Sequence, residues 1–242
     1  MNIFKKYIKY LASKAEIIYK KKLVDHIKDL KLSKHAKILD IGCGNGNLLI
    51  DIKSTTGIRD LYGIDIDKHN LNIASSKGIK VKRIDISQKK WRGVDNNFDL
   101  IVSNQVIEHV YDVNNYLENI KKIISNKGYI IICTENLAAW HNVFSLFFGY
   151  QPFSLTNINI LKSPIGNPWS IWESKKTNKY MLHRTIMTYS ALIELFNLYN
   201  FKINKIIGSV YYPLSGSLAE LLNKYNISRS VYLIFSLQLK KE

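Results

Sequence analysis

The chain has little that would staple or anchor it. Only two of its 242 residues are cysteine, Cys43 and Cys133, and neither looks placed as a staple, which points to a reducing, cytoplasmic setting. No apolar run approaches the roughly 18 residues needed to span a bilayer. The lysine-rich N-terminus lacks the unbroken apolar stretch and small-residue cleavage site of a secretory signal. Acids are scarce beside bases, 19 against 35, for a net charge of +16. Such an excess suits a nucleic-acid or anionic-membrane partner. Arginine, the residue that forks onto phosphates, is nearly missing, however: Arg59, Arg83, Arg92, Arg184 and Arg229 are all there is. The remainder is lysine among many isoleucines and asparagines, a compositional bias, so no specific nucleic-acid partner is expected.

What is present fits one large α/β domain with an insertion, since this length buries a sizeable core. The chain is organised around residues 37–49. Ile38, Leu39 and Ile41 make a short apolar run that reads as a buried strand. Gly42, Gly44 and Gly46 then alternate with Cys43 and Asn45, permitting a tight turn and close backbone approach to a ligand. Asn47 to Ile50 begin a helix whose free N–H groups and positive dipole end face the turn. The dinucleotide fingerprint wants glycine where Asn47 stands. Asp40, two residues before the first glycine, would repel a pyrophosphate and suits a cationic amine.

Strand, loop and helix patterns alternate from there. Strands are expected over residues 60–67, 79–86, 98–104 and 129–134, with helices over 68–76 and 116–124, the latter's turn ended by Gly128. The second strand carries Asp65, about 20 residues past the glycine loop, where doubly wound sheets place a carboxylate on ribose hydroxyls. The third ends in Asp85, which read alone is equally a turn or helix cap. Asn104 and Gln105 mark the C-terminal edge of the fourth, outside which ligands sit in open α/β sheets. A helix over 188–200 and strands over 202–207 and 231–239 would complete seven.

Residues 3–30 read as a basic amphipathic helix or helix pair, with Phe4, Ile8, Leu11, Ala15 and Ile18 on one stripe. Packing of that stripe over the sheet or cofactor pocket is the simpler reading, and a membrane-surface helix the sharper one. Residues 135–187 are far longer than an ordinary connection of about 4–6 residues. They are rich in aromatic and polar side chains, including Trp140, His141, Phe144, Phe147, Phe148, Phe153, Trp169, Trp172 and His183. Residues 138–148 look helical and 149–168 irregular. We read this insertion as a substrate lid, the alternative being a dimer interface or hydrophobic lobe.

In order and spacing, Asp40-Ile-Gly-Cys-Gly-Asn-Gly46, Asp65, Asp85 and Phe98-Asp-Leu-Ile with Glu108-His109 resemble the motifs of class I S-adenosylmethionine-dependent methyltransferases. The resemblance covers residues 35–134 and resumes at 183–208, and it looks closest to the small-molecule branch. It implies a doubly wound, mostly parallel seven-stranded sheet with an insertion after the fifth strand. The layout would be an N-terminal helical cap (1–34), a cofactor core (35–134), a lid (135–187) and a C-terminal helix with closing strands (188–242). It implies S-adenosylmethionine as cofactor, held by Asp40, Gly42, Cys43, Gly44, Gly46, Asp65, Ile66, Asp85, Ile86, Asn104, Gln105 and Val106, with Asp85 on the adenine amino group. Catalytic candidates for a hydroxyl acceptor are His109, His141 and His183 as bases, with Glu108 as orienter. Each could instead be structural. The small-RNA methyltransferases hold a divalent ion with Glu-x-x-Glu-His; Gln105 replaces the first glutamate here, so no metal is expected. The segments from Thr134 to Asn142 and from Phe147 to Phe153 resemble a group of uncharacterised bacterial and archaeal methyltransferases. The expected partner is a small-molecule acceptor: a hydroxylated or amphiphilic metabolite, lipid or sugar. Rival readings are an RNA or protein methyltransferase, a non-catalytic membrane-surface protein on this fold, and a nicotinamide dehydrogenase, which Asn47 and Asp40 disfavour.

Overall fold

The computed structural model describes residues 3–161, 163–170 and 179–240. Trp172 of the insertion lies outside them, as do the side chains of Phe4 and Ile8. Seven strands form one sheet: β1 (Lys37–Ile41), β2 (Asp60–Asp65), β3 (Lys80–Arg83), β4 (Phe98–Asn104), β5 (Ile124–Glu135), β6 (Phe201–Ser209) and β7 (Tyr232–Leu239). Their order is β3-β2-β1-β4-β5-β7-β6. The first five run parallel, and β7 slots antiparallel between β5 and β6. The chain reverses its direction of travel across the sheet between β1 and β4, so a cleft opens at their C-terminal ends.

The helices are α1 (Ile3–Asp29), α2 (Asn47–Thr56), α3 (Lys68–Ser76), α4 (Val113–Ile123), α5 (Trp140–Phe147), α6 (Tyr189–Leu198) and α7 (Gly216–Tyr225). Their starts follow local chemistry: Asp67, Asp112 and Thr188 each accept a hydrogen bond from a backbone N–H of the first turn of α3, α4 and α6. Leu23, Ile27, Leu49, Ile52 and Leu71 of α1, α2 and α3 pack on one face of the sheet against Ile38, Leu100, Ile131 and Ile234. Tyr116, Leu117, Ile120, Leu192 and Phe196 of α4 and α6 cover the other, over Leu39, Ile101, Ile130 and Phe235. Central parallel strands covered on both faces explain why β1 and β4 are nearly continuous apolar runs.

Several elements differ from the sequence reading, and the second strand ends at Asp65 rather than running to 67. The third strand stops at Arg83 rather than reaching 86, because Ile84 donates its N–H to Asp65 and the chain turns away, leaving Asp85 and Ile86 in the following turn. α4 ends at Ile123, and β5 begins at once with Ile124 paired to Phe98 before a bulge, so Gly128 is inside the strand rather than ending a turn. There it packs so closely that a Cβ would sit 2.7 Å from the Phe98 carbonyl oxygen. α7 had no counterpart in the sequence reading; of its apolar residues only Ala219 is buried, while Leu218 and Leu221 are exposed, so its periodicity is faint.

α1 is a single helix held by a ladder at i+4 spacing, namely Leu11, Ala15, Tyr19, Leu23 and Ile27, all buried. The expected stripe is right at Leu11 and Ala15 and wrong at Ile18, which is exposed; the next buried position is Tyr19. No described helix is long and apolar enough to cross a membrane.

Candidate active site

The glycine loop joins β1 to α2 under β2. Gly42 and Cys43 both donate their N–H groups to the Ile64 carbonyl, at 2.8 and 3.1 Å. Gly42 and Gly46 hold φ of +71° and +78°, a conformation that favours glycine. A Cβ on Gly42 would lie 2.6 Å from Cγ2 of Val106, and one on Gly46 would overlap Ile79. Asp65 closes the cluster: Oδ2 accepts from Gly44 N and Oδ1 from Asp67 N, both at 2.8 Å. A carboxylate offers about four acceptor positions, so two remain for a ligand. Ile66, next in line, takes Arg83 Nε on its carbonyl at 3.0 Å. Asp85 uses Oδ1 to cap its own turn through Ser87 N at 3.0 Å. The turn-cap reading of Asp85 is thus realised, and Oδ2 has no bond within that turn.

Asp40, on β1 beneath the loop, is 2% exposed. Burial, then the neighbouring charge of Asp65, raises its pKa to about 8; Lys20 of α1 acts weakly the other way. Burial also pushes the Cys43 thiol up, so it is a packed thiol and no nucleophile. At the end of β4, Asn104 Oδ1 is buried without a hydrogen-bond partner. Gln105 takes φ +55°, donating its backbone N–H to the Cys133 carbonyl at 2.8 Å. The twelve positions expected to bind cofactor thus gather at the C-terminal ends of β1 to β4 and the turns that follow.

The catalytic candidates divide. His109 follows β4, and His183 comes from the end of the insertion; their ring centroids are 4.9 Å apart. His109 Nδ1 lies 3.1 Å from the Leu182 carbonyl, so that nitrogen carries the proton and Nε2 keeps its lone pair. His183 Nδ1 is held in the same way by the Ser154 carbonyl. Burial, then His183, lowers the His109 pKa to about 4. Glu108 does not orient His109. It is buried at 1% exposure, its Oε2 accepts the Thr134 hydroxyl at 3.0 Å, and its carbonyl accepts the Arg184 and Thr185 N–H groups at 2.7 and 3.1 Å. It therefore ties the returning insertion to the sheet, while the Leu182 carbonyl does the orienting. His141 stands apart, against the rings of Phe153 and Tyr212 at 5.6 and 5.3 Å. A shallow depression along α6 between Tyr189, Ile193 and Leu198 includes none of these residues.

Sequence reasoning assigned no role to Tyr19, Lys20, Thr134, Glu135 or Tyr212. Tyr19 was findable from the i+4 ladder. Lys20 stands beside it on α1, and Thr134, Glu135 and Tyr212 are brought in by β5 and the turn after β6, which leave no local signature.

Burial raises the Glu108 pKa to about 8 as well. Between about pH 6.5 and 8 the folded chain holds protons on Asp40 and Glu108 that the unfolded chain has released, so stability should fall as pH rises through that window. The lowered His109 and His141, both near 4, act oppositely but only below about 6.5, where an unfolded histidine titrates. Urea midpoints at pH 6.5 and 8 should show the fall, and Glu108→Gln should flatten it; a flat wild-type profile contradicts the assignment.

A family model described as a methyltransferase domain matches residues 32–184. The ubiquinone biosynthesis O-methyltransferase of Pelagibacter ubique is 31% identical over 129 residues, 50% of this chain and 53% of that one. Its counterpart in Azorhizobium caulinodans is 30% identical over 113 residues, 45% of this chain and 44% of that one. The chain thus spans about half the length of the curated relatives it matches. Among solved structures, a SAM-dependent methyltransferase from Thermotoga maritima aligns with a TM-score of 0.60 at 14% identity, over 98% of each chain. At that identity the likeness speaks for the fold.

Proposed function

The chain belongs to the class I S-adenosylmethionine-dependent methyltransferases, and from that premise we propose that it transfers a methyl group to a small-molecule acceptor bearing a hydroxyl. The observation that carries the reading is Asp40: a carboxyl sunk below a glycine loop, with Lys20 the one cation acting on it among the described residues. Such a group waits for a charge of opposite sign. Asp40 would hold the amino group of the cofactor's methionine end, Asp65 would offer its open positions to the ribose hydroxyls, and Asp85 would offer Oδ2 to the adenine amino group. Gly42, Cys43, Gly44 and Gly46 let backbone close on the ligand; Ile66, Ile86 and Val106 supply apolar contact; Asn104 and Gln105 border the reacting end.

When bound, S-adenosylmethionine supplies a methyl carbon already electrophilic on its sulfonium. The chain's own work is to align the acceptor and receive its proton. His109 Nε2, fixed by the Leu182 carbonyl, is the group that receives it. Its lowered basicity makes it a modest base that stays neutral through the physiological range, so His109→Ala should lower turnover about tenfold, below the common range for general bases, with cofactor affinity unchanged. An unaltered rate would remove it from the reaction. Burial, and behind it His183, keeps His109 neutral. The half-length likeness to ubiquinone biosynthesis O-methyltransferases supports an oxygen acceptor on an amphiphilic molecule. Radiolabelled S-adenosylmethionine incubated with the full chain and fractionated cell extract tests this: label should enter the small-molecule or lipid fraction, and label in RNA or protein would favour the rival readings.

A further inference from the structure

Glu135 is the last residue of β5, and its side chain is 8% exposed. Its Oε2 is buried with no hydrogen-bond partner. Behind burial, which is the larger cause in each, Glu135 helps push up Tyr212, Tyr232, Cys133 and Glu108, all of them acids, hydroxyls or thiols. On α5, His141 Nδ1 is likewise buried with no partner. Its pKa is lowered to about 4 by burial, so it is neutral. Tyr212, in the turn after β6, joins the two: its ring stands edge-on to His141 at 5.3 Å, and Glu135 of β5 and Ser209 at the end of β6 both pair with Tyr232, which brings that turn to the end of β5. Tyr232 faces Glu135 in register across the β5–β7 ladder, with the Tyr19 ring of α1 4.4 Å from its own.

A lone unsatisfied atom in a core is a flaw the rest of the fold tolerates. Two of opposite ends of one aromatic-walled cluster, an anionic oxygen and a neutral imidazole nitrogen, define a ligand by what they lack. They want a donor of several N–H bonds that also carries positive charge. A hydroxyl would satisfy one lone pair and leave the carboxylate charge buried. An ammonium satisfies the oxygen, neutralises the charge and meets tyrosine faces that attract cations. The cluster sits beyond Cys133, which contacts Gln105 at the edge of the proposed cofactor cleft.

We propose that Glu135, Tyr212 and His141 form an acceptor subsite that takes a protonated amine, so that the small molecule methylated here carries an ammonium group. This rests on the methyltransferase reading, because it places the amine as an anchor beside the cofactor cleft. Glu135 and His141 bind and position; neither is assigned a proton-transfer step.

The test is calorimetric and uses the full chain saturated with S-adenosylhomocysteine at pH 7. Two probes of matched shape are titrated, phenethylammonium chloride and 2-phenylethanol. The ammonium should bind the wild type at least tenfold more tightly than the alcohol. Glu135→Gln, which keeps the shape and removes the charge, should erase that preference while leaving S-adenosylhomocysteine affinity unchanged. Equal binding of the two probes to wild type overturns the proposal without recourse to any variant, and so does a preference that survives in Glu135→Gln. Failure of wild type to bind S-adenosylhomocysteine would instead overturn the cofactor reading, and the subsite with it.

Discussion

Replacing Asp65 by alanine should weaken S-adenosylhomocysteine binding by about 3 kcal/mol, roughly a hundredfold, because two charge-assisted hydrogen bonds to the ribose disappear together. The structure adds a second cost. Asp65 also holds Gly44 N and Asp67 N, so its removal frees the glycine loop and the start of α3. Asp65→Asn separates the two effects: its single side-chain oxygen can still accept from Gly44 N, while the amide has lost the charge that makes ribose contacts strong. Calorimetry should therefore place Asp65→Asn between wild type and Asp65→Ala. Wild-type affinity in both variants would remove Asp65 from the cofactor site.

The second large effect concerns Asp40. With its pKa raised to about 8, it is mostly protonated at pH 7 in the free protein. A cationic amine arriving beside it favours the ionised form, so binding should release close to one proton. The observed heat at pH 7 should then differ between phosphate and Tris in proportion to their ionisation enthalpies, and affinity should rise from pH 6 to 7.5. Asp40→Asn should cost at least about 2 kcal/mol, roughly thirtyfold, as for one partner of a buried charged pair. It should also abolish both the proton release and the pH slope. Binding that is independent of buffer in the wild type would mean that Asp40 does not meet the amine.

Much of this site is legible in the sequence because its parts are local. Asp40, the three glycines and Asp65 lie at the ends of two consecutive strands, and a βαβ unit places such ends side by side by construction. Asp85 was found for the same reason, though the strand that carries it ends two residues earlier. The pairing of His109 with His183 is not local: 73 residues separate His109 from the Leu182 carbonyl that fixes its tautomer. Glu108 shows the limit of reading neighbours as partners. On a turn of 3-10 helix, adjacent side chains diverge, so Glu108 points to Thr134 and His109 to the insertion. The α1 ladder was half-read because a lysine-rich helix puts charged stems on every side and blurs the stripe. Glu135 and Tyr212 were unreadable as a pair, because the antiparallel insertion of β7 between β5 and β6 alone brings the turn after β6 to the end of β5.

The insertion between β5 and α6 is tied down at both ends. Asn136 donates to the Ser228 and Ser230 carbonyls, and the Glu108 carbonyl holds Arg184 and Thr185 at its return. Between these ties α5 turns His141 inward and leaves Phe144, Phe147 and Phe148 exposed. We propose that this segment is the substrate lid expected from its length and composition; its exposed aromatic side chains equally suit the dimer interface that was the alternative.

A crystal structure of the full chain with S-adenosylhomocysteine tests the central claim most directly. The account predicts the ligand across the C-terminal ends of β1, β2 and β3, its amine at hydrogen-bond distance from Asp40, its ribose on Asp65 and its adenine amino group on Asp85. A ligand bound elsewhere, or a cleft filled by the protein's own Tyr19 and Lys20 in crystals grown at saturating ligand, would contradict it.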